Sequence, residues 1–188
     1  MTRWPVTPGR ALVVGLGSPD RGDDAVGPEV ARQVAALVSG VQVVEREDPT
    51  SLIELWGDRD LAIVADAVRS NGFPGALMIV ECGVGVAPLT DDAWTHTGRG
   101  GTHAFGLAAA VELSRALHRL PQRLVLVGIE ADGMAYGAPL SAPVDAAIGP
   151  AVQAVLTLLG EAGVLPSSSH APSEGRHERP PVRQEAQL

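Results

Sequence analysis

Hydrophobic positions along the chain alternate between two rhythms. Ala11–Leu16 is an unbroken apolar run rich in valine and closed by Gly17, the pattern of a short buried strand. Across Gly27–Val38 the apolar residues Val30, Val34, Leu37 and Val38 recur at helical spacing. Pro28 stands there where a first-turn proline is tolerated. Val41–Val44 reads as a second strand, Pro49–Trp56 as a short helix, and Leu61–Ala65 as a third strand running into Asp66. Ala76–Val80 is a fourth strand, Ala104–Leu117 a helix stopped by Pro121, Leu124–Val127 a fifth strand, and Val144–Leu159 the last long helix.

The resulting order, β-α-β-α-β-β-α-β-α, predicts an α/β protein with a mostly parallel sheet. One connection breaks the alternation. Val68 to Gly75, between the third and fourth strands, is shorter than the roughly dozen residues that a parallel crossover needs. The fourth strand is therefore expected to run antiparallel. The architecture predicted is a three-layer α/β/α sandwich around a mixed, mostly parallel five-stranded sheet.

Three segments follow from the same pattern. Residues 1–10 form a short N-terminal arm with Pro5 and Pro8, residues 11–165 a single α/β domain, and residues 166–188 a C-terminal tail rich in Pro, Ser and charge. Such a tail buries too little surface to offset its ordering entropy and is predicted disordered. This makes His170 and His177 poor ligand candidates. Cys82 to Gly101 is a long connection with five glycines and no clear periodicity. Loops above about 12–15 residues of this kind are usually functional or disordered, and this one leads directly into Thr102-His103.

Composition narrows the chemistry. The chain of 188 residues carries 14 basic and 22 acidic side chains, for a net charge of −8. Every basic residue is arginine, which rules out a P-loop lysine, a Schiff-base lysine and a pyridoxal-phosphate anchor. The acidic balance argues against a nucleic-acid or anionic-membrane partner. One cysteine, Cys82, excludes an intrachain disulfide and a Cys-rich zinc site. The N-terminus lacks a secretory pattern, and no apolar stretch reads as approaching the roughly 18 residues of a membrane span. A soluble cytoplasmic protein is the expectation.

In an open parallel sheet, ligands collect beyond the C-terminal strand ends. Three chemistry-bearing segments are expected there: Gly17-Ser-Pro-Asp-Arg-Gly-Asp-Asp24 after the first strand, Asp66 at the end of the third, and His103 before the helix that follows the long loop. Gly15-x-Gly17 suggests a dinucleotide turn, but Asp20 occupies the third glycine position. Asp20, Asp23 and Asp24 would repel a phosphate, and Arg21 alone does not offset them, so the loop suits a cation better. Each residue also has a plain structural reading. Asp23 or Asp24 would cap the first helix, Asp66 would organise a turn, and His103 would be a helix-start or packing residue. His96 is a rival in the same loop, and His118 reads as a residue at a helix C-terminus. Taken together, two carboxylates and an imidazole suit a divalent metal of intermediate hardness, with nickel, zinc, manganese or iron all allowed.

The run Gly15-Leu-Gly-Ser-Pro-Asp-Arg-Gly-Asp-Asp-Ala-Val-Gly27-Pro-Glu-Val-Ala31 resembles the signature opening of the hydrogenase maturation endopeptidases. The resemblance continues through Asp66–Gly75, Thr102–Leu107 and Gly137–Val144, and covers roughly residues 11–160 in consistent order. It implies a compact α/β/α fold and an enzyme that removes the C-terminal extension of the nickel–iron hydrogenase large-subunit precursor. It places the metal-contacting and catalytic positions on Asp24, Asp66 and His103, with nickel supplied by the precursor. Two positions depart from the family: Ala25, often glycine, and Ser18, often asparagine. Sister proteases serving other hydrogenase classes share the pattern.

No Ser-His-Asp or Cys-His pairing suggests itself, so a covalent acyl-enzyme is not expected. The metal or a carboxylate would activate water. The alternatives are a non-catalytic chaperone for the nickel subunit, a nucleotide- or small-molecule-binding α/β module, and an aspartic-type hydrolase in which Asp24 and Asp66 share a proton. Oligomeric state is left open by the sequence.

Overall fold

A computed structural model describes residues 6–7, 9–88 and 106–165. Its five strands are β1 (Ala11–Leu16), β2 (Gln42–Arg46), β3 (Leu61–Val68), β4 (Leu77–Glu81) and β5 (Arg123–Glu130). The helices are α1 (Val26–Leu37), α2 (Leu52–Leu55), α3 (Leu107–Ala116) and α4 (Ala142–Glu161). Short 3-10 turns precede two of them, at Gly22–Ala25 and Pro49–Ser51. The sheet order is β2-β1-β3-β5-β4. β1 pairs in parallel with β2 and β3, and β3 in parallel with β5. β4 pairs antiparallel with β5, as the short connection requires.

Side-chain alternation along the strands builds two cores. One face, with Val13, Ile63, Ala65, Val125 and Val127, packs against Val26, Val30 and Val34 of α1 and against Val144, Ile148, Val152 and Val155 of α4. On the other face, Leu12, Val14, Val64, Leu124 and Leu126 pack against Leu52 and Trp56 at α2 and Leu107 and Val111 of α3. The Trp56 indole N–H donates to Ser114 Oγ at 2.9 Å, tying α2 to α3 within that core.

Four strands end later than their apolar runs suggest, β2 at Arg46 and β4 at Glu81 by one or two residues and the other two by three. β3 continues through Asp66 to Val68, and β5 through Gly128 to Glu130. Asp66 therefore lies inside a strand, paired with Gly128, rather than terminating one. The expectation that no apolar stretch reaches membrane-spanning length also needs correction. The 20 residues of α4 are long and apolar enough by length and composition. Its Val144, Ala147, Ile148, Ala151, Val155 and Leu159 side is buried on the sheet, as a core helix requires.

The chain leaves β1 toward β2 on one side, while β3 leads to β5 and β4 on the other. β1 and β3 are neighbours at the centre, so their C-terminal ends form the topological switch point where such sheets open a crevice. α1 docks tightly there. A β-carbon at Gly15 would lie 2.3 Å from the Gly27 carbonyl oxygen and 2.7 Å from the Ala31 β-carbon. The paired glycines let helix and strand backbones touch.

Candidate active site

Asp24 ends the loop that carries the chain from β1 into α1. Gly17 opens that loop with φ +131°, and a β-carbon on it would meet the Asp24 carbonyl oxygen at 2.0 Å. The loop folds back on itself, and the Ser18 backbone N–H donates to Asp24 Oδ2 at 3.0 Å. The backbone of Ser18 makes that bond, so serine serves it at this position. Ala25 has φ −73°, an ordinary helical value; nothing about its backbone demands glycine. Neither departure from the family pattern disturbs the loop.

Asp66 shares a sheet face with Ala62, Val64 and Val68, the side covered by α2 and α3. Its neighbour on β5 is Gly128, which has no side chain to fill the space beside it. The carboxyl is buried, and burial pushes its pKa well above the ordinary value of 3.8; the nearby Asp24 charge pushes it further, and an N–H from Ala67 offsets this only in part. Asp24 and Asp66 thus form an electrostatically coupled pair at the switch point, joined from residues 42 positions apart. Perturbation by burial plus a specific charge, at a sheet crevice, is a mark of functional carboxylates.

The third sequence candidate, His103, lies outside the described residues, as do its rival His96 and the tail with His170 and His177. His103 stands three positions before Gly106, the residue that opens α3. Arg115, near the other end of α3, donates to the carbonyl oxygens of Cys82 and Val86 after β4, and Cys82 sits beside Leu124 at the start of β5. The C-terminal end of α3 is therefore at the far edge of the sheet, and its N-terminal end faces the switch point. Among the described residues no group of three His, Cys, Asp or Glu side chains could hold a metal. His118 follows α3 with φ 56°, the left-handed residue that terminates the helix. Burial pushes the Cys82 thiol up to about 12, so it offers no thiolate nucleophile.

The expectation that Asp23 or Asp24 caps the first helix fails. Neither the 3-10 turn nor α1 has a side-chain cap. Asp23 is instead buried and reaches across the sheet edge. Its Oδ2 accepts from the Asp132 and Gly133 N–H groups at 2.8 and 2.9 Å and from Ser141 Oγ at 3.0 Å, and its Oδ1 accepts from the Ser141 N–H at 2.6 Å. Burial alone would raise its pKa, but these donors outweigh it and hold the carboxyl below 3.8. A third buried carboxylate, Glu130, accepts from Ser70 N–H at 2.9 Å, Ser70 Oγ at 2.5 Å and Gly72 N–H at 3.1 Å. Sequence reasoning passed over Glu130, which merely follows an apolar run. The adjacent acidic pair was the available hint that the two acids occupy different environments, Asp23 bonded across to the β5–α4 loop and Asp24 close to Asp66.

Fold and site together define a doubly wound α/β protein with a carboxylate pair at its switch point. A family model described as hydrogenase maturation protease matches residues 47–158. The hydrogenase 2 maturation protease of Escherichia coli (strain K12) is 32% identical over 160 residues, spanning 82% of this chain and 93% of that protein. The hydrogenase expression/formation protein HupD of Bradyrhizobium diazoefficiens is 27% identical over 170 residues, 87% of this chain and 84% of its own. Among solved structures, the hydrogenase maturating endopeptidase HybD from E. coli superposes with a TM-score of 0.63 at 29% identity, covering 82% of this chain and 94% of that one. The hydrogenase 2 maturation peptidase of a Thaumarchaeota archaeon gives 0.56 at 28% identity, covering 81% and 99%. The chain belongs to the hydrogenase maturation protease family, and is an endopeptidase of that class.

Proposed function

We propose that this enzyme removes the C-terminal extension of a nickel-loaded hydrogenase large-subunit precursor in the cytoplasm, and that Asp24, Asp66 and His103 contact the nickel that the precursor brings. The coupled pair Asp24 and Asp66 carries the reading. Two carboxylates crowded at one crevice, one of them buried, gain from an incoming cation: the metal relieves their repulsion and the desolvation of Asp66. A pair of carboxylates leaves coordination positions open, which suits a cation that arrives with ligands of its own from the precursor. An imidazole from His103, entering ahead of α3, would add a third ligand of the type nickel favours.

Water attacks the scissile carbonyl in this reading, and the peptide C–N bond breaks. A proton moves from the water to the leaving amine. Asp66 is suited to relay it, since its raised pKa makes its carboxylate a stronger base than an ordinary aspartate. Nickel held near the scissile bond would polarise the carbonyl or the water. Gating by the metal follows: without nickel the precursor presents nothing to relieve the carboxylate repulsion.

The test is incubation of the purified enzyme with its precursor, with and without nickel, followed by mass spectrometry. Cleavage is expected only of the loaded precursor. Equal cleavage of the metal-free form would overturn the gating, and full activity of His103→Ala would overturn its assignment as a ligand.

A further inference from the structure

Three aromatic residues lie among the described ones: Trp56, Phe73 and Tyr136. Trp56 is fully buried, whereas Phe73 and Tyr136 are 87% and 82% exposed. A single exposed apolar side chain is unremarkable. These two differ in where they stand and in how they are held.

Both occupy the sheet edge that carries Asp24 and Asp66. Phe73 is in the loop that leaves β3 shortly after Asp66. Tyr136 is in the loop between β5 and α4, which lies against the Asp24 loop: Asp23 N–H donates to the Gly133 carbonyl at 2.9 Å, Gly137 N–H to Asp20 at 2.8 Å, and Gly22 N–H to Ala138 at 3.2 Å. Each loop is pinned by its own buried carboxylate, the first by Glu130 through Ser70 and Gly72, the second by Asp23 through Asp132, Gly133 and Ser141. Gly75 N–H donates to the Glu130 carbonyl at 2.8 Å, closing the Phe73 loop at its other end.

Fixing a loop with a buried acid carries a desolvation cost. The gain is a loop backbone fixed by hydrogen bonds, and each of these loops presents an aromatic ring to solvent at the sheet edge that carries Asp24 and Asp66. An aromatic side chain has only two torsions to fix, so it buries a large area at low entropic cost when it meets a polypeptide. We infer that Phe73 and Tyr136 are the two docking anchors of the active-site rim, and that they grip the precursor polypeptide on either side of the bond presented to Asp24 and Asp66. The inference rests on the proteolytic reading above and adds the residues that determine affinity for its substrate.

The experiment measures the Kd of the intact enzyme for the purified nickel-loaded precursor, together with KM and kcat of its cleavage, for wild type, Phe73→Ala, Tyr136→Ala, the double variant, Tyr136→Phe and Leu37→Ser. Each alanine variant should raise Kd and KM about tenfold, the scale of losing one anchor, with kcat within about twofold of wild type and an unchanged Tm. The double variant should approach a hundredfold. Tyr136→Phe keeps the ring and should bind like wild type, as should Leu37→Ser, which alters an exposed leucine at the opposite end of α1. Wild-type Kd in both alanine variants would overturn the rim assignment while leaving the proteolytic reading intact. Tight wild-type binding without cleavage would instead overturn the proteolytic reading, with the rim still judged by Kd. A wild-type enzyme that neither bound nor cut the precursor would overturn both.

Discussion

Asp23 and Asp66 are buried carboxylates at the same edge of the same sheet, in opposite electrostatic circumstances. Asp23 accepts three backbone N–H groups and a hydroxyl, and its pKa lies below the ordinary value although burial pulls the other way. Asp66 is desolvated, faces the charge of Asp24, and lies well above it. Burial alone therefore does not say what an acid is for. A carboxylate whose lone pairs are taken up by fixed donors is part of the scaffold. One left short of donors, next to another acid, holds energy that a proton or a cation can release.

The comparison breaks first on activity. Asp66→Asn keeps the shape and removes the proton relay of the proposed reaction, so cleavage should fall by about 10²–10⁴-fold, read by precursor turnover, while Tm stays level or rises because the strained charge is gone. A large loss of stability in Asp66→Asn would erase the distinction. Asp23→Ala should do the reverse. It removes the acceptor of four part-buried hydrogen bonds at once and should cost about 2 kcal/mol in urea unfolding, with any activity loss following from the displaced loop. Gly15→Ala, which drives a methyl into the Gly27 carbonyl, should cost about 2 kcal/mol by overpacking, measured the same way. Glu130→Gln retains an acceptor oxygen but loses the charge that strengthens its bonds to Ser70 and Gly72, a loss of about 1 kcal/mol.

The smallest and sharpest test is the shape of stability against pH. The folded-state pKa of Asp23 is depressed, so its contribution is present above the unfolded value and is lost as pH falls through the folded one, below 3.8. That of Asp66 is raised, so its contribution is present at low pH and disappears as pH rises above 3.8 through its folded-state value. Asp23→Asn should flatten the acid limb of the stability curve, and Asp66→Asn the limb above it. The two variants changing the same limb would contradict the contrast.

Much of the fold was legible in the chain because the signals were local. Ala11–Leu16 forms a strand with the bounds its apolar run predicts. β4 is antiparallel because the residues from Val68 to Gly75 cannot make a crossover. Strand ends were harder to read. β3 and β5 were predicted short because Asp66, Gly128 and Glu130 interrupt an apolar pattern, yet the hydrogen-bond ladder continues through all three. Those interruptions are where the chain places a desolvated acid, the side-chain-free position beside it and a loop anchor. The sheet-edge rule selects Asp24, Asp66 and His103; the first two lie close enough for the Asp24 charge to act on Asp66, and His103 lies outside the described residues.

The division of labour between Asp23 and Asp24 was not legible, and the reason is distance. Capping is a local rule, but the donors that claim Asp23 lie more than a hundred residues downstream, at Asp132, Gly133 and Ser141. The same holds for Glu130, whose partners lie near Ser70. Periodicity, loop length and residue chemistry determined by themselves the order of elements, the direction of each strand and the pair of acids at the crevice. Only the tertiary structure decided which buried carboxylate would be satisfied and which left strained, because donors reach an acid across the folded sheet edge and not along the chain.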